Sequence, residues 1–480
     1  VGFGFLFGLL FASALVGAYL LGSRNSSGII STSSSRTTYN NNPSALSHDK
    51  YYDDDFVHID NDDDEQHEQH DAPKYIATQF ISFTINTIGG LEEHGECEGR
   101  HVDPTNGVCY LGNTGNITED ITHRLAIVKR VLDRIKADAF VETPDIDHTD
   151  DVLKIVMMPE FFWRGPNGAY STSQLMHDNT GKGVLLEVAD VIRELVADEF
   201  FNDFLFVFGT VIAARSIDDG SSTDGSEPWQ QELASAKEVE YFNFASIAKG
   251  GPNHKHYYTV TKKYISGADF LSRTTLPNPT DENVHDYAEF DEELAALFAT
   301  RNTTLITDNV VELDGLRIGV EICLDHRLGV LWSELRKKHH GDELVDVLLI
   351  TSAGMAIERG PNPIVKGGAV YLSDGEASSA ACIRTDNDAK FQPDHVCRGD
   401  IGGLKHVPVG GDGYSSFIGL AACWDLEDID LLKGYYSMYQ TQGCAFTLQT
   451  YDIDVMDEFA YYPPSIEIYP TVALPENTYD

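Results

Sequence analysis

The sequence predicts an α/β fold. Apolar runs of strand length alternate with amphipathic helical stretches from about residue 75 to about residue 355, as in a layered α/β architecture. Three of those runs stop at residues able to do chemistry: Glu160, Lys262 and Cys323. The chain has 480 residues, but its first seventy or so lack the pattern of packed structure. That leaves about four hundred residues for one enlarged domain or one domain with an appendage.

Residues 1–22 carry no charged side chain and Arg24 follows closely. The run is long enough to span a bilayer and long for a signal-peptide core, so it reads as a transmembrane signal anchor or a signal peptide. Residues 23–50 are rich in Ser, Thr and Asn, and residues 51–71 hold Asp53-Asp54-Asp55 and Asp62-Asp63-Asp64-Glu65. Such a tract cannot bury enough apolar surface to order itself, so residues 23–72 read as a disordered acidic stalk. Its histidines, His67 and His70, are read as part of a solvated linker, and no metal site is expected.

The main domain, 73–480, opens with a strand over Ala77–Ile88. A helix over Glu119–Phe140 carries Ile121, Leu125, Val128, Leu132 and Ile135 on one face. A strand, Leu153 to Met158, leads to Pro159-Glu160, and a helix spans about Val184 to Phe201. Phe204–Ala213 is a nearly continuous apolar strand. The acidic, Gly/Ser-rich stretch Ile217–Glu232 is an insertion. Strands over Glu240–Ile247 and Tyr257–Lys262 precede a second polar insertion, about Thr274–Asp286. The strand reaching Cys323, a helix over Leu328–His340 and a strand over Leu344–Thr351 complete the clear units. Residues 360–480 have many glycines, four cysteines and weak periodicity.

The strand Leu316-Arg317-Ile318-Gly319-Val320-Glu321-Ile322 runs straight into Cys323 and a helix. Such a sharp turn exposes a side chain beside the first helical amides. It is expected to lower the thiol pKa and to offer the Leu324 N–H to an oxyanion. Taken alone, the turn equally fits a buried structural cysteine. Glu160 is followed by Phe161-Phe162-Trp163, desolvating surroundings that raise a carboxyl toward the range of a general base. Of the two lysines after the third strand, Lys262 shares a face with Tyr258 and Val260, whereas Lys263 points away.

Acid, lysine and cysteine, each at a strand end and in that order, resemble the triad of the nitrilase-like carbon–nitrogen hydrolase superfamily. The resemblance covers roughly residues 75–355. Met157 to Phe162 matches the apolar-strand, Pro-Glu, aromatic motif. Gly319, Ile322, Cys323, Asp325 and Arg327 match the cysteine motif of the amidase-like branches. Lys262 fits the lysine motif with Tyr264 in place of the usual histidine. The resemblance implies a four-layer αββα sandwich, a homodimer paired through the helix after the cysteine, and no cofactor. It also implies an accessory acid, for which Asp269 is the nearby candidate, a solvated loop acid being the other reading. Glu160 is then the base and proton donor, and Lys262 with the Leu324 amide stabilises the oxyanion. The loop Ser352-Ala353-Gly354-Met355 faces the thiol as a substrate wall. Asp325 and Arg327 brace the turn through an ion pair.

Nitrilases tend to follow the cysteine with Trp-Glu, whereas Leu324-Asp325 resembles the hydrolases of amides and carbamoyl amines, so a small-molecule amide substrate is expected. A nitrilase, an acyltransferase and a catalytically silent binding protein on the same fold are the alternatives. The formal net charge of −42 argues against nucleic acid and anionic membrane surfaces as partners. Seven cysteines, Cys97, Cys109, Cys323, Cys382, Cys397, Cys423 and Cys444, leave an even set of six once the nucleophile is removed. Acceptor triplets for glycosylation begin at Asn25, Asn116 and Asn302. Together these place the catalytic domain on the lumenal or extracellular side, membrane-anchored or secreted, with disulfides outside the triad segments, their pairing open.

Overall fold

Every residue of strand β1 (Ala77–Thr84) and of β2 (Val152–Met158) is buried, because each strand is covered on both faces. Their sequences, ATQFISFT and VLKIVMM, suit a central position, with β-branched and aromatic side chains on a pleated surface. In this computed structural model the described residues are 73–92, 108–109, 117–142, 144–164, 168–171, 184–216, 239–254, 257–266, 269, 285–339, 344–355, 357, 362–375, 378–384, 404–406, 449–452 and 465–475. The expected anchor, the stalk and the insertion at 217–232 lie outside them. All described residues belong to one compact unit, Gln69–Asp480.

Helix α1 (Ile117–Asp138) lies between β1 and β2 in sequence, and α2 (Val184–Val196) follows β2. Next come β3 (Phe204–Ser216), β4 (Val239–Lys249), β5 (Tyr257–Thr261), α3 (Glu292–Ala299) and β6 (Thr303–Ile306). The second half begins with β7 (Val310–Leu313), β8 (Leu316–Ile322), α4 (Leu324–Leu328) and α5 (Val330–His339). It continues with β9 (Val345–Ser352), β10 (Ile364–Asp374), β11 (Ser378–Arg384) and β12 (Leu404–His406). Strands β13 (Gln449–Asp452) and β14 (Ser465–Ile468) come last among those labelled here.

Two mixed sheets result. The first has the order β6-β5-β4-β3-β2-β1-β14-β13 and the second β7-β8-β9-β10-β11-β12. β1, β2 and β3 are mutually parallel, and β4 turns antiparallel so that β5 again runs with β3. In the second sheet β8, β9 and β10 are parallel. The ends of β2, β5 and β8 that carry the candidate residues are therefore all carboxyl ends, where open α/β sheets place their ligands.

Period-two alternation decides which side chains enter which core. Along β2, Leu153, Ile155 and Met157 face the second sheet, joining Phe80, Val260, Ile318, Val320, Leu349 and Tyr371. Val156 and Met158 face the other way, into a core closed by α1 (Val128, Leu132, Ile135), α2 (Val188, Ile192) and α3 (Leu294, Phe298). On the far side of the second sheet, Leu331 and Leu335 of α5 cover Leu348, Ile350, Val370 and Leu372. Burying each such side chain is worth about 1.5–3 kcal/mol. Polar ties cross between the sheets: Thr78 Oγ1 and Tyr371 OH are 2.6 Å apart, and the Phe80 ring stacks on Tyr371 at 4.9 Å.

The structure adds α3, β6 and β7 where the sequence suggested no element, and it departs from the expected units in three further respects. The helix expected at 328–340 is broken by Gly329, whose φ of 68° is left-handed and suits a residue without Cβ. The end of the second insertion is not loop: His285–Asp286 pairs antiparallel with Tyr264–Ile265. The stretch from residue 360 does add β10, β11 and β12 to the second sheet, but the chain then returns to the first. There β14 pairs with β1, β13 with β14, and Val472–Ala473 with the start of β1.

Candidate active site

The turn carrying Glu160 is held by a break in its neighbour. The register of β3 against β4 shifts between Val207 and Thr210, which frees Gly209 to take φ +71°. A Cβ there would meet Pro159 O at 2.4 Å, so only glycine allows the turn to sit this close. Thr210 Oγ1 accepts from Phe161 N (3.0 Å), and the Glu160 N–H donates to Ser352 O (3.2 Å) across to the second sheet. Phe161 adopts φ 64° and Cys323 φ 47°, conformations that bulky side chains enter at a cost and that cluster where geometry matters.

Lys262, the first residue after β5, is 1 % exposed. Its Nζ donates to Glu160 Oε1 (2.9 Å) and to both oxygens of Asp269 (3.0 and 2.9 Å). Lys263 instead reaches Glu334 (2.6 Å). Asn243 Nδ2 also donates to Glu160 Oε1 (2.9 Å), and the Asn243 carbonyl accepts from Lys262 N (2.7 Å). Asp269 is wholly buried and accepts further from Ser266 and from the Tyr287 hydroxyl (2.8 Å). Glu160 Oε2 is buried without a partner.

The charges sort themselves accordingly. Burial drives the Glu160 carboxyl up, Lys262 opposes it and Asp269 adds to it, leaving it at about 7. Burial alone would lower the Lys262 ammonium, but Asp269 and Glu160 outweigh it and hold it well above its ordinary value. The Cys323 thiol is free, buried and close enough for Glu160, Lys262 and Asp269 all to act on its ionisation. Burial and the two carboxyls push it well above its ordinary value, against Lys262 and the Ala353 N–H. An acid near 7 beside a protonated thiol is an arrangement for moving a proton from sulfur to carboxylate as the sulfur attacks.

The structure therefore brings together Glu160, Lys262, Asp269 and Cys323, and it corrects several expectations. The thiol is raised rather than lowered, because α4 has only five residues and its dipole does not offset burial. Leu324 is the first residue of that helix, where its N–H has no acceptor within the helix. Asp325 forms no ion pair with exposed Arg327; it is buried, raised to about 7 by burial, and accepts from Lys263 N (2.7 Å) and Tyr264 N (3.0 Å). It thus ties the cysteine turn to the backbone after the lysine. The Ser352 hydroxyl is occupied by Asp374 (2.5 Å); what Ser352 gives the site is its carbonyl, held by Glu160 N. Of the three aromatics after Glu160, Phe162 and Trp163 point into the helix-covered core, and Phe161 alone lies under Lys262, 5.8 Å from Nζ.

Sequence reasoning passed over Asn243 and Tyr287. A signal for the first exists, a lone amide inside Tyr241-Phe242-Asn243-Phe244, since a buried amide in an apolar strand needs a partner. Tyr287 follows a long polar stretch and gives none. Among the other cysteines, Cys382 is disulfide-bonded, while Cys97, Cys397, Cys423 and Cys444 lie outside the described residues. Among the described residues there is no cluster fit to hold a metal ion and no helix long and apolar enough to cross a membrane.

No family model matches the chain, and no curated protein matches it. Among solved structures it is similar to an amidase from Nesterenkonia sp. AN1 carrying the product of acrylamide addition at its active-site cysteine. That likeness has a TM-score of 0.29 at 9% identity, over 64% of this chain and 85% of that one. Another is a crystal structure of an amidase from Nesterenkonia sp., at 0.30 and 9% over 65% and 84%. A mutant of the Nesterenkonia AN1 amidase from the nitrilase superfamily gives 0.29 and 9% over 64% and 83%.

Proposed function

We propose that this protein is a cysteine hydrolase of non-peptide carbon–nitrogen bonds in amides or carbamoyl amines, built as a four-layer αββα sandwich of the carbon–nitrogen hydrolase type. The observation that carries this reading is the divided carboxylate of Glu160. One oxygen is fixed by Lys262 and Asn243, and the other is buried and unpartnered, on a carboxyl near enough to the free Cys323 thiol to act on its ionisation. A structural acid at this burial would have both oxygens satisfied.

The reaction follows from the placement. As Cys323 Sγ attacks the carbonyl carbon, its proton passes to Glu160. The tetrahedral oxyanion is met by the Lys262 ammonium and the Leu324 and Ala353 N–H groups. Glu160 then returns the proton to the leaving nitrogen, the carbon–nitrogen bond breaks, and ammonia or an amine departs, leaving a thioester on Cys323. Glu160 next takes a proton from water, the hydroxide attacks the thioester carbon, and the carbon–sulfur bond breaks with the proton returned to sulfur. Asp269 and Tyr287 keep Lys262 charged and in place. The apolar segment 1–22 acting as anchor or signal and a lumenal or extracellular catalytic domain remain part of this proposal, supported by the uncharged run and the odd cysteine count; a homodimer is part of it only as what the family resemblance implies.

A panel of short amides, carbamoyl amines and nitriles, assayed for ammonia or amine, tests the reading. Release is expected from members of the first two classes, with Cys323→Ala inactive and Glu160→Gln impaired in both acylation and deacylation. Release from nitriles but never from amides would move the assignment to a nitrilase, and full activity in Cys323→Ala would remove the mechanism.

A further inference from the structure

The wall facing the thiol is tied at Ser352 O by the Glu160 and Gly375 N–H groups (3.2 and 2.7 Å), and beyond that by a single carboxylate oxygen. Strands β9 and β10 run side by side to their ends, where Ser352 pairs with Asp374. Beyond that pair the chain after β9 turns over the site as Ala353-Gly354-Met355. Asp374 Oδ2 accepts from Ser352 Oγ (2.5 Å), Gly354 N (2.8 Å) and Met355 N (2.8 Å). Three donors on one buried oxygen fix the flanks of Ala353, whose own N–H is directed to Cys323. The next residue, Gly375, closes the other side. A Cβ there would meet Thr87 Oγ1 at 1.9 Å and Ala353 Cβ at 3.0 Å, so the corner packs directly on Ala353. Thr87 in turn donates through Oγ1 to the Glu160 carbonyl (2.6 Å) and through N to Gly375 O (2.7 Å). One corner of the second sheet thus touches the backbone of both the acid and the thiol's donor.

We propose that Asp374 is a positioning residue of the reaction described above: it clamps the loop 352–355 so that the Ala353 N–H stays on Cys323 and serves as a second backbone donor to the thiolate and the oxyanion. The proposal rests on the hydrolase reading for the oxyanion but not for the thiolate. A loop of this length held only by packing would fray, and a donor displaced by an ångström loses most of its worth. Asp374 need not touch substrate for this. Besides burial, the groups that act on the thiol's ionisation are Glu160, Lys262, Asp269 and the Ala353 N–H. Of these polar groups the Ala353 N–H is the one flanked on its chain by residues bonded to Asp374, while Glu160 reaches the same corner only through its backbone.

The test uses the full chain and iodoacetamide, with carbamidomethylation of Cys323 followed by peptide mass spectrometry as a function of pH. Alkylation reads the thiolate fraction, which outweighs the small gain in nucleophilicity of a more basic sulfur. Asp374→Ala is expected to slow alkylation about tenfold at fixed pH, the scale of one lost hydrogen bond to a charged group, and to move the profile alkaline. Asp374→Asn, which keeps one acceptor oxygen and the side-chain volume, is expected to fall between the two. Thermal melts establish that each variant is folded, and Asp374→Asn alone decides if Asp374→Ala does not fold. A folded variant that alkylates with the wild-type rate and pH profile overturns the clamp. Wild type that releases neither ammonia nor an amine from the panel of amides, carbamoyl amines and nitriles, while alkylation still depends on Asp374, removes the hydrolase reading and leaves the clamp standing.

Discussion

At the level of single residues, Glu160 shows how much neighbours matter to a buried acid. Lys262 and Asn243 share one of its oxygens, and both act against burial to hold the carboxyl at about 7 rather than higher. Removing the amide leaves burial less opposed. Asn243→Ala should therefore move the acidic limb of the kcat/KM–pH profile to higher pH, because the base must be ionised to accept the thiol proton. Activity at pH 6.5 should fall about tenfold, with partial recovery at higher pH. An unmoved limb would mean that Asn243 does not act on Glu160. The choice between Lys262 and Lys263 was legible because strand parity is a two-state question. Asp325 was not legible in the same way. Its partners are backbone amides after another strand, and no spacing rule connects residue 325 to residue 263.

Elements differ in how openly they declare their partners. β2 and β8 announce themselves by apolar runs ending in reactive residues, and both are found within a residue or two of their expected limits. β14 does not, since it is four residues long and gains its identity from lying beside β1. It carries Glu467, 2 % exposed, hydrogen-bonded to Ser379 Oγ on the second sheet and raised to about 8 by burial. The sign of its effect on stability follows from linkage. The unfolded chain releases this proton near pH 4.3, whereas the folded protein keeps it to about 8. Folding therefore binds a proton across that window, and this contribution is lost as pH rises through it. Glu467→Gln keeps an acceptor for Ser379 and cannot ionise. The fall in thermal midpoint between pH 5 and pH 8 should be smaller in the variant than in wild type. Equal falls would show that Glu467 is not held protonated.

For the molecule as a whole, alternation and length gave the α/β class, while the path of the last hundred or so residues was hidden by weak periodicity. A polypeptide that extends one sheet and then returns to the edge of the other leaves no mark in local pattern, because the pairing of β14 with β1 joins Ile468 to Ile81, positions far apart in the chain. The broken helix after Cys323 had a local cue in Gly329, though an isolated glycine inside a helical pattern is as often tolerated as it is a stop. The residues proposed for the site were easier to pick out in the sequence than the path of the chain around them. Its chemistry sits at strand carboxyl ends, where sequence marks both the strand and its stop, whereas the residues that brace it (Asn243, Tyr287 and Asp374) sit within or beyond other strands.

The thioester on Cys323 is the species on which everything proposed for the site depends. Acid-quenching the wild-type protein during turnover of an amide and mapping its peptides measures it directly. The expected result is an acyl mass on the peptide containing Cys323, removed by hydroxylamine, absent from Cys323→Ala and formed more slowly in Glu160→Gln. Turnover of the same amide with Cys323 unmodified throughout, and undiminished in Cys323→Ala, would contradict it.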